Sequence, residues 1–179
     1  MKSLFLTTLL ILSTIAHGQS KMDYRGFKSV EGDLIYQFIV EDSIGVIEAK
    51  ESLKAINSVR SVEVSENAVF AEFSNYKVDY RKQGRKWADT PVLFNNYVVR
   101  GKVKIEIKPD RYRVTLYALE EVGNNPSLIS STESFYSGYC KGKDGTIRQG
   151  EGILDILTIY SKAFEDTFTL KRSSGTDDW

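Results

Sequence analysis

The chain has 179 residues, with 24 basic and 24 acidic side chains, one histidine (His17) and one cysteine (Cys140). Balanced charge gives no global pull toward nucleic acid or anionic lipid, and a lone cysteine rules out an intrachain disulfide. His17 falls inside an expected leader, so the remaining chain offers no imidazole for a Ser-His-Asp or Cys-His pair or for a zinc site of the Cys/His kind.

Met1-Lys2, the apolar run Leu4 to Ala16 and the small-residue site Ala16-His17-Gly18 have the layout of a secretory signal peptide over 1–18. The run is shorter than the about 20 residues that span a bilayer. No cysteine follows the cleavage region, which argues against a lipid anchor. The expected location is periplasmic or secreted, with no transmembrane segment in the mature chain. Residues 19–30 are polar and pattern-poor and read as a linker, 31–170 as a single domain, and 171–179 as a polar tail.

From Asp33 the period is two, with Leu34, Tyr36, Phe38 and Val40 on one side of a strand. Asp42-Ser43 offers an N-cap, and Val46, Ala49, Leu53 and Ile56 form an apolar stripe on a helix from about Ile44 to Asn57. Val62 and Val64 alternate with polar residues, Ser65-Glu66-Asn67 suggests a turn, and a second run follows from Ala68 to Val78. Tyr80 to Thr90 is a charged loop. Tyr97, Val99, Gly101, Val103, Ile105 and Ile107 then alternate with polar partners, Pro109-Asp110 breaks the strand, and Arg111 to Leu119 returns. A two-residue turn there sets Ile107 opposite Tyr112, Ile105 opposite Val114, Val103 opposite Leu116 and Gly101 opposite Ala118. The other face then carries Glu106 across from Arg113 and Lys104 across from Thr115.

Gly123 to Ser131 reads as a loop, Glu133 to Cys140 as a further strand, and Asp144-Gly145 as a hairpin turn into Thr146-Ile147. Ile153, Ile156, Leu157, Tyr160, Phe164 and Phe168 recur at helical spacing, giving a helix from about Gly152 to Leu170. The order strand, helix, antiparallel strands, helix predicts an α+β fold, with two helices covering one face of the sheet and the other face open.

The run Val103 to Val114 (VKIEIKPDRYRV), after the strand-helix opening at Asp33 to Ser58, resembles an uncharacterised family of exported bacterial proteins. Its members contain a domain of unknown function with a fold like the TATA-box-binding protein. The resemblance covers roughly Val30 to Val122 and implies a TBP-like sheet under helices. It brings no activity and no site residue with it.

Three segments carry candidate chemistry. In the hairpin register Arg100, Lys102, Lys104, Lys108, Arg111 and Arg113 share the open face, relieved by Glu106. A TBP-like fold grips DNA with that face, but export and balanced charge argue against nucleic acid here. The loop Tyr80 to Trp87 sets the cations Arg81, Lys82, Arg85 and Lys86 between two aromatics. It can stack on a sugar or base or meet an acidic partner, or serve as a connector with Trp87 folded back onto the body. The stretch Gly138 to Gly152, with Lys141, Lys143 and Arg148, lacks the order of a phosphate loop, and its glycines read as turn punctuation.

Glu120 and Glu121 are adjacent on a strand and point to opposite faces, so they do not cooperate as a catalytic pair. Cys140 reads as a packed small side chain. No catalytic, cofactor-binding or metal-ligating residue emerges. The expected function is an exported, non-catalytic binding module of the bacterial cell envelope whose partner is an envelope protein, a glycan or a small ligand. The alternatives are a carboxylate-based hydrolase of envelope glycans and a structural subunit of an envelope assembly.

Overall fold

The computed structural model describes residues 23–124, 132–142 and 144–171. The leader at 1–18, the tail beyond Lys171 and most of the loop at 123–131 lie outside the described residues. The architecture is α+β: a large antiparallel sheet and, among the described residues, four helices.

Residues 23–30, expected as linker, form strands β1 (Asp23–Tyr24) and β2 (Phe27–Val30), which join β3 (Asp33–Val40) through two-residue turns. In the first turn Arg25 and Gly26 both have positive φ (45° and 87°), the twist that tight hairpins require. Such turns are usually signalled by Asn-Gly or Asp-Gly; Arg-Gly here, and Glu-Gly in the second turn, left them hidden in the sequence. Phe27 alone secures β2 to the core, with 0% of its surface exposed.

Helix α1 (Val46–Lys54) buries Ala49 and Leu53 as the stripe predicts, and packs beside β4 (Val59–Ser65) and β5 (Ala68–Tyr76). Its N-cap is Gly45, which makes no side-chain cap, instead of Asp42-Ser43. Two short 3₁₀ turns (Tyr80–Gln83 and Trp87–Asp89) and helix α2 (Leu93–Asn96) lead to β6 (Tyr97–Ile107) and β7 (Tyr112–Gly123). Residues 133–140, expected as one strand, divide into β8 (Thr132–Ser134), helix α3 (Phe135–Tyr139) and the start of β9 (Cys140–Lys141). The Ser134 hydroxyl accepts from the Ser137 amide and starts that helix. β9 pairs with β10 (Thr146–Ile147) across the expected hairpin turn, and α4 (Glu151–Phe168) closes the fold.

The main sheet runs β1-β2-β3-β7-β6-β5-β4, with β8 also on β7. The hairpin register holds for Ile107–Tyr112, Ile105–Val114 and Val103–Leu116, but Gly101 does not face Ala118. A bulge on β7 intervenes: Ala118 takes positive φ (49°) and donates its amide to Asp33 Oδ2 at 2.8 Å. The extra residue turns Leu119 into the core, above Gly101.

Helix α4 lies across the buried face. Two sheet tyrosines meet its backbone, the Tyr36 hydroxyl donating to Ser161 O (3.1 Å) and the Tyr76 hydroxyl to Ala163 O (2.9 Å), and just past its end the Leu170 amide donates to the Tyr112 hydroxyl (2.8 Å). Burial pushes the Tyr76 hydroxyl up to about 12, so it stays a donor at any physiological pH. Between these anchors Phe164 touches the rings of Phe27, Tyr36, Tyr76, Phe135 and Tyr160. Directional bonds to the helix backbone set where α4 sits, and the aromatic contacts supply its burial.

Candidate binding face

The opposite side of the sheet carries no helix among the described residues. Strand pairing sets its side chains in rows. One row reads Ile39, Arg113, Glu106, Ala68 and Ser65, crossing β3, β7, β6, β5 and β4 in turn. The next reads Gln37, Thr115, Lys104, Phe70 and Glu63, and beyond it Tyr117, Lys102 and Glu72 lie side by side.

The expected cationic surface is instead a grid of ion pairs. Lys102 meets Glu72 (3.2 Å), Lys104 meets Glu106 (3.1 Å), Arg113 meets the same Glu106 (2.9 Å), and Arg100 meets Glu120. Glu72 and Glu120 come from neighbouring strands, so pairing decides the neutralisation. These pairs are exposed and each contributes about 0–1 kcal/mol, so they set charge pattern more than stability. Burial alone would raise the Glu106 carboxyl, but hydrogen bonds and charge from Lys104 and Arg113 outweigh it and hold it below the usual carboxylate range. Apolar side chains interrupt the grid. Ile39 is 55% exposed, and Phe70 has Lys104 Nζ 5.9 Å from its ring centroid.

The structure brings Arg100, Lys102, Lys104 and Arg113 together on this face and leaves the Tyr80–Trp87 loop elsewhere. That loop is tied to α4, on the covered side of the sheet: Gln83 Nε2 donates to Ile159 O (3.0 Å), and Arg85 makes a two-pronged pair with Asp155. The Arg85 guanidinium is thereby occupied, whereas no ion pair involves Arg81 or Lys82 among the described residues. Trp87, weighed as a residue folded back onto the body, stands 68% exposed on its 3₁₀ turn.

In the glycine-rich stretch, Arg148 is spent on the Cys140 and Ser137 carbonyls, and Lys143 lies outside the described residues. Cys140 is buried, and burial pushes its thiol up to about 11 despite nearby Arg148, which leaves little thiolate at neutral pH.

Glu120 and Glu121 do point to opposite faces. Sequence reasoning missed what awaits Glu121: it is buried, and one of its oxygens accepts from the hydroxyls of both Tyr139 and Tyr160, the latter at 2.6 Å. Burial pushes its carboxyl up, Glu133 across the β7–β8 pairing adds to the rise, and the tyrosine hydrogen bonds oppose it. Glu121 is thus buried under two tyrosines, which does not favour two carboxylates sharing an open cleft. No group of three or more His, Cys, Asp or Glu is placed to hold a metal among the described residues. No helix among them is long and apolar enough to cross a membrane.

No family profile matches the chain, and no curated protein matches it. Among solved structures it is similar to a DUF4468 family protein from Bacteroides ovatus, at 12% identity and TM-score 0.48, over 83% of this chain and 93% of that one. It is also similar to a TBP-like protein from Parabacteroides distasonis, at 10% identity and TM-score 0.41, over 83% of this chain and 100% of that one. Neither description names an activity.

Proposed function

We propose that the protein is an exported, non-catalytic binding module of the bacterial cell envelope that engages a protein, glycan or small ligand through the open face of its sheet. One observation carries the binding reading. A rigid, hydrogen-bonded sheet presents the solvent with a patterned surface, cations and carboxylates in register around exposed Ile39 and half-buried Phe70. A face held by paired strands loses little freedom on binding, which favours recognition over chemistry. Export rests on the leader-like residues 1–18.

The test compares wild type with a Lys102→Ala/Lys104→Ala/Arg113→Ala triple variant in pull-downs from periplasmic extract. Loss of a partner set supports the face, and identical sets overturn it. Export is checked separately by sequencing the N-terminus of chain expressed with its leader. A start at Gln19 is expected, and a retained Met1 refutes the leader.

A further inference from the structure

At one end of the open face, between the β4–β5 and β6–β7 turns, lies an open-sided recess of about 820 Å³. Its size falls within the roughly 300–1,000 Å³ of small-molecule sites. Four cations line it, Lys104, Lys108, Arg111 and Arg113, against two acids, Glu66 and Glu106. The central acid is already committed. Glu106 takes Lys104 on one oxygen (3.1 Å) and the Nε and Nη2 atoms of Arg113 on the other (2.9 Å each). One carboxylate therefore clamps two cations side by side and neutralises only one of them. Arg111 has acids only at the limit of pairing, Glu41 at 3.9 Å and Asp110 at 4.0 Å.

Ser65 and Asn67 add neutral polar groups at the β4–β5 turn, and apolar side chains flank the charged centre. Ile39 neighbours Arg113 on β3, Phe70 neighbours Lys104 on β5, and half-buried Ile107 lies at the same end. Three strand spacings separate β3 from β5, about 14 Å. A ligand seated there meets a net positive centre with apolar surface on both flanks. A purely ionic partner would leave Ile39 and Phe70 in water, and a neutral apolar one would strip the clamped cations of water without replacing it.

We infer that this recess, between the turns that follow β4 and β6, binds an amphipathic carboxylate: the acid group sits on Lys104 and Arg113, and the apolar body covers Ile39 and Phe70. This rests on the binding-face reading and narrows it to a ligand class. Glu106 is a positioning residue, since it sets the two cations at a spacing that one carboxylate can bridge.

The probe is dansyl-labelled undecanoic acid, titrated against the full purified chain by fluorescence. Saturable single-site binding that weakens with salt is expected. Arg113→Gln weakens it by about fivefold, the effect of about 1 kcal/mol at a half-exposed charge. Ile39→Asp does at least as much, by removing apolar cover and adding repulsion. The methyl ester of the probe binds correspondingly worse, and Lys28→Gln, outside the recess, binds like wild type. No saturable binding, an ester that binds as tightly as the acid, or an Ile39→Asp variant with wild-type affinity overturns the assignment. Both exposed-site variants are verified as folded by circular dichroism. Absent probe binding alongside a triple-variant pull-down that loses partners sinks the ligand class and leaves the face standing. Intact probe binding with an unchanged pull-down does the reverse.

Discussion

Glu121 gives the sharpest test of how this core is held. Its Oε1 accepts from Tyr139 on α3 and Tyr160 on α4, so one carboxyl joins β7 to two helices. Glu121→Ala leaves two buried hydroxyls without that acceptor, at about 1–3 kcal/mol each. Glu121→Gln keeps an oxygen in place. Ser58 Oγ is the only buried side-chain polar atom without a partner among the described residues, so the second Glu121 oxygen is not sealed away unsatisfied. The alanine variant should therefore be less stable than the glutamine variant by about 2–6 kcal/mol.

The pH dependence has a definite sign. Burial raises the folded carboxyl above its ordinary value of 4.5. The folded state then holds its proton longer than the unfolded chain, so this contribution is complete below that ordinary value and is lost as pH rises through the folded one. Wild type should lose stability relative to Glu121→Gln between acidic and neutral pH. Urea denaturation of all three proteins across that range measures both effects. Equal stability of the alanine and glutamine variants, or a wild type that gains on glutamine as pH rises, would refute the reasoning.

Three further outcomes are expected. Phe164→Ala removes the ring that contacts five other aromatics and should cost about 3–5 kcal/mol, seen as a lower denaturation midpoint at unchanged slope. Gly101→Ala places a Cβ 2.9 Å from Leu119 Cδ2 and 3.1 Å from the Tyr117 carbonyl oxygen. It should cost about 1–3 kcal/mol, and a neutral result would mean that the β7 bulge is misplaced. Cys140, buried and with its thiol pushed up to about 11, should resist a disulfide reagent at neutral pH in native protein and react once urea unfolds it.

The sequence by itself determined what depends on neighbours close along the chain. The stripes of α1 and α4, the two-residue turn at Pro109-Asp110, the pairing of Ile105 with Val114 and the opposite orientations of Glu120 and Glu121 all follow from a period of two or 3.6. Such periods are written in the order of residues, so the β6–β7 hairpin and its open face were legible. Tertiary structure decided everything that needs a partner from far away. Lys102 is neutralised by Glu72 because β5 lies beside β6, and Arg85 is drawn to Asp155, seventy positions on, because α4 crosses beneath its loop. Ala118 bulges because Asp33, on β3, catches its amide, and Glu121 is buried because α3 and α4 both reach it with a tyrosine. Charge and hydroxyl chemistry act over a few ångströms of space, and only the packed fold says which residues those ångströms separate.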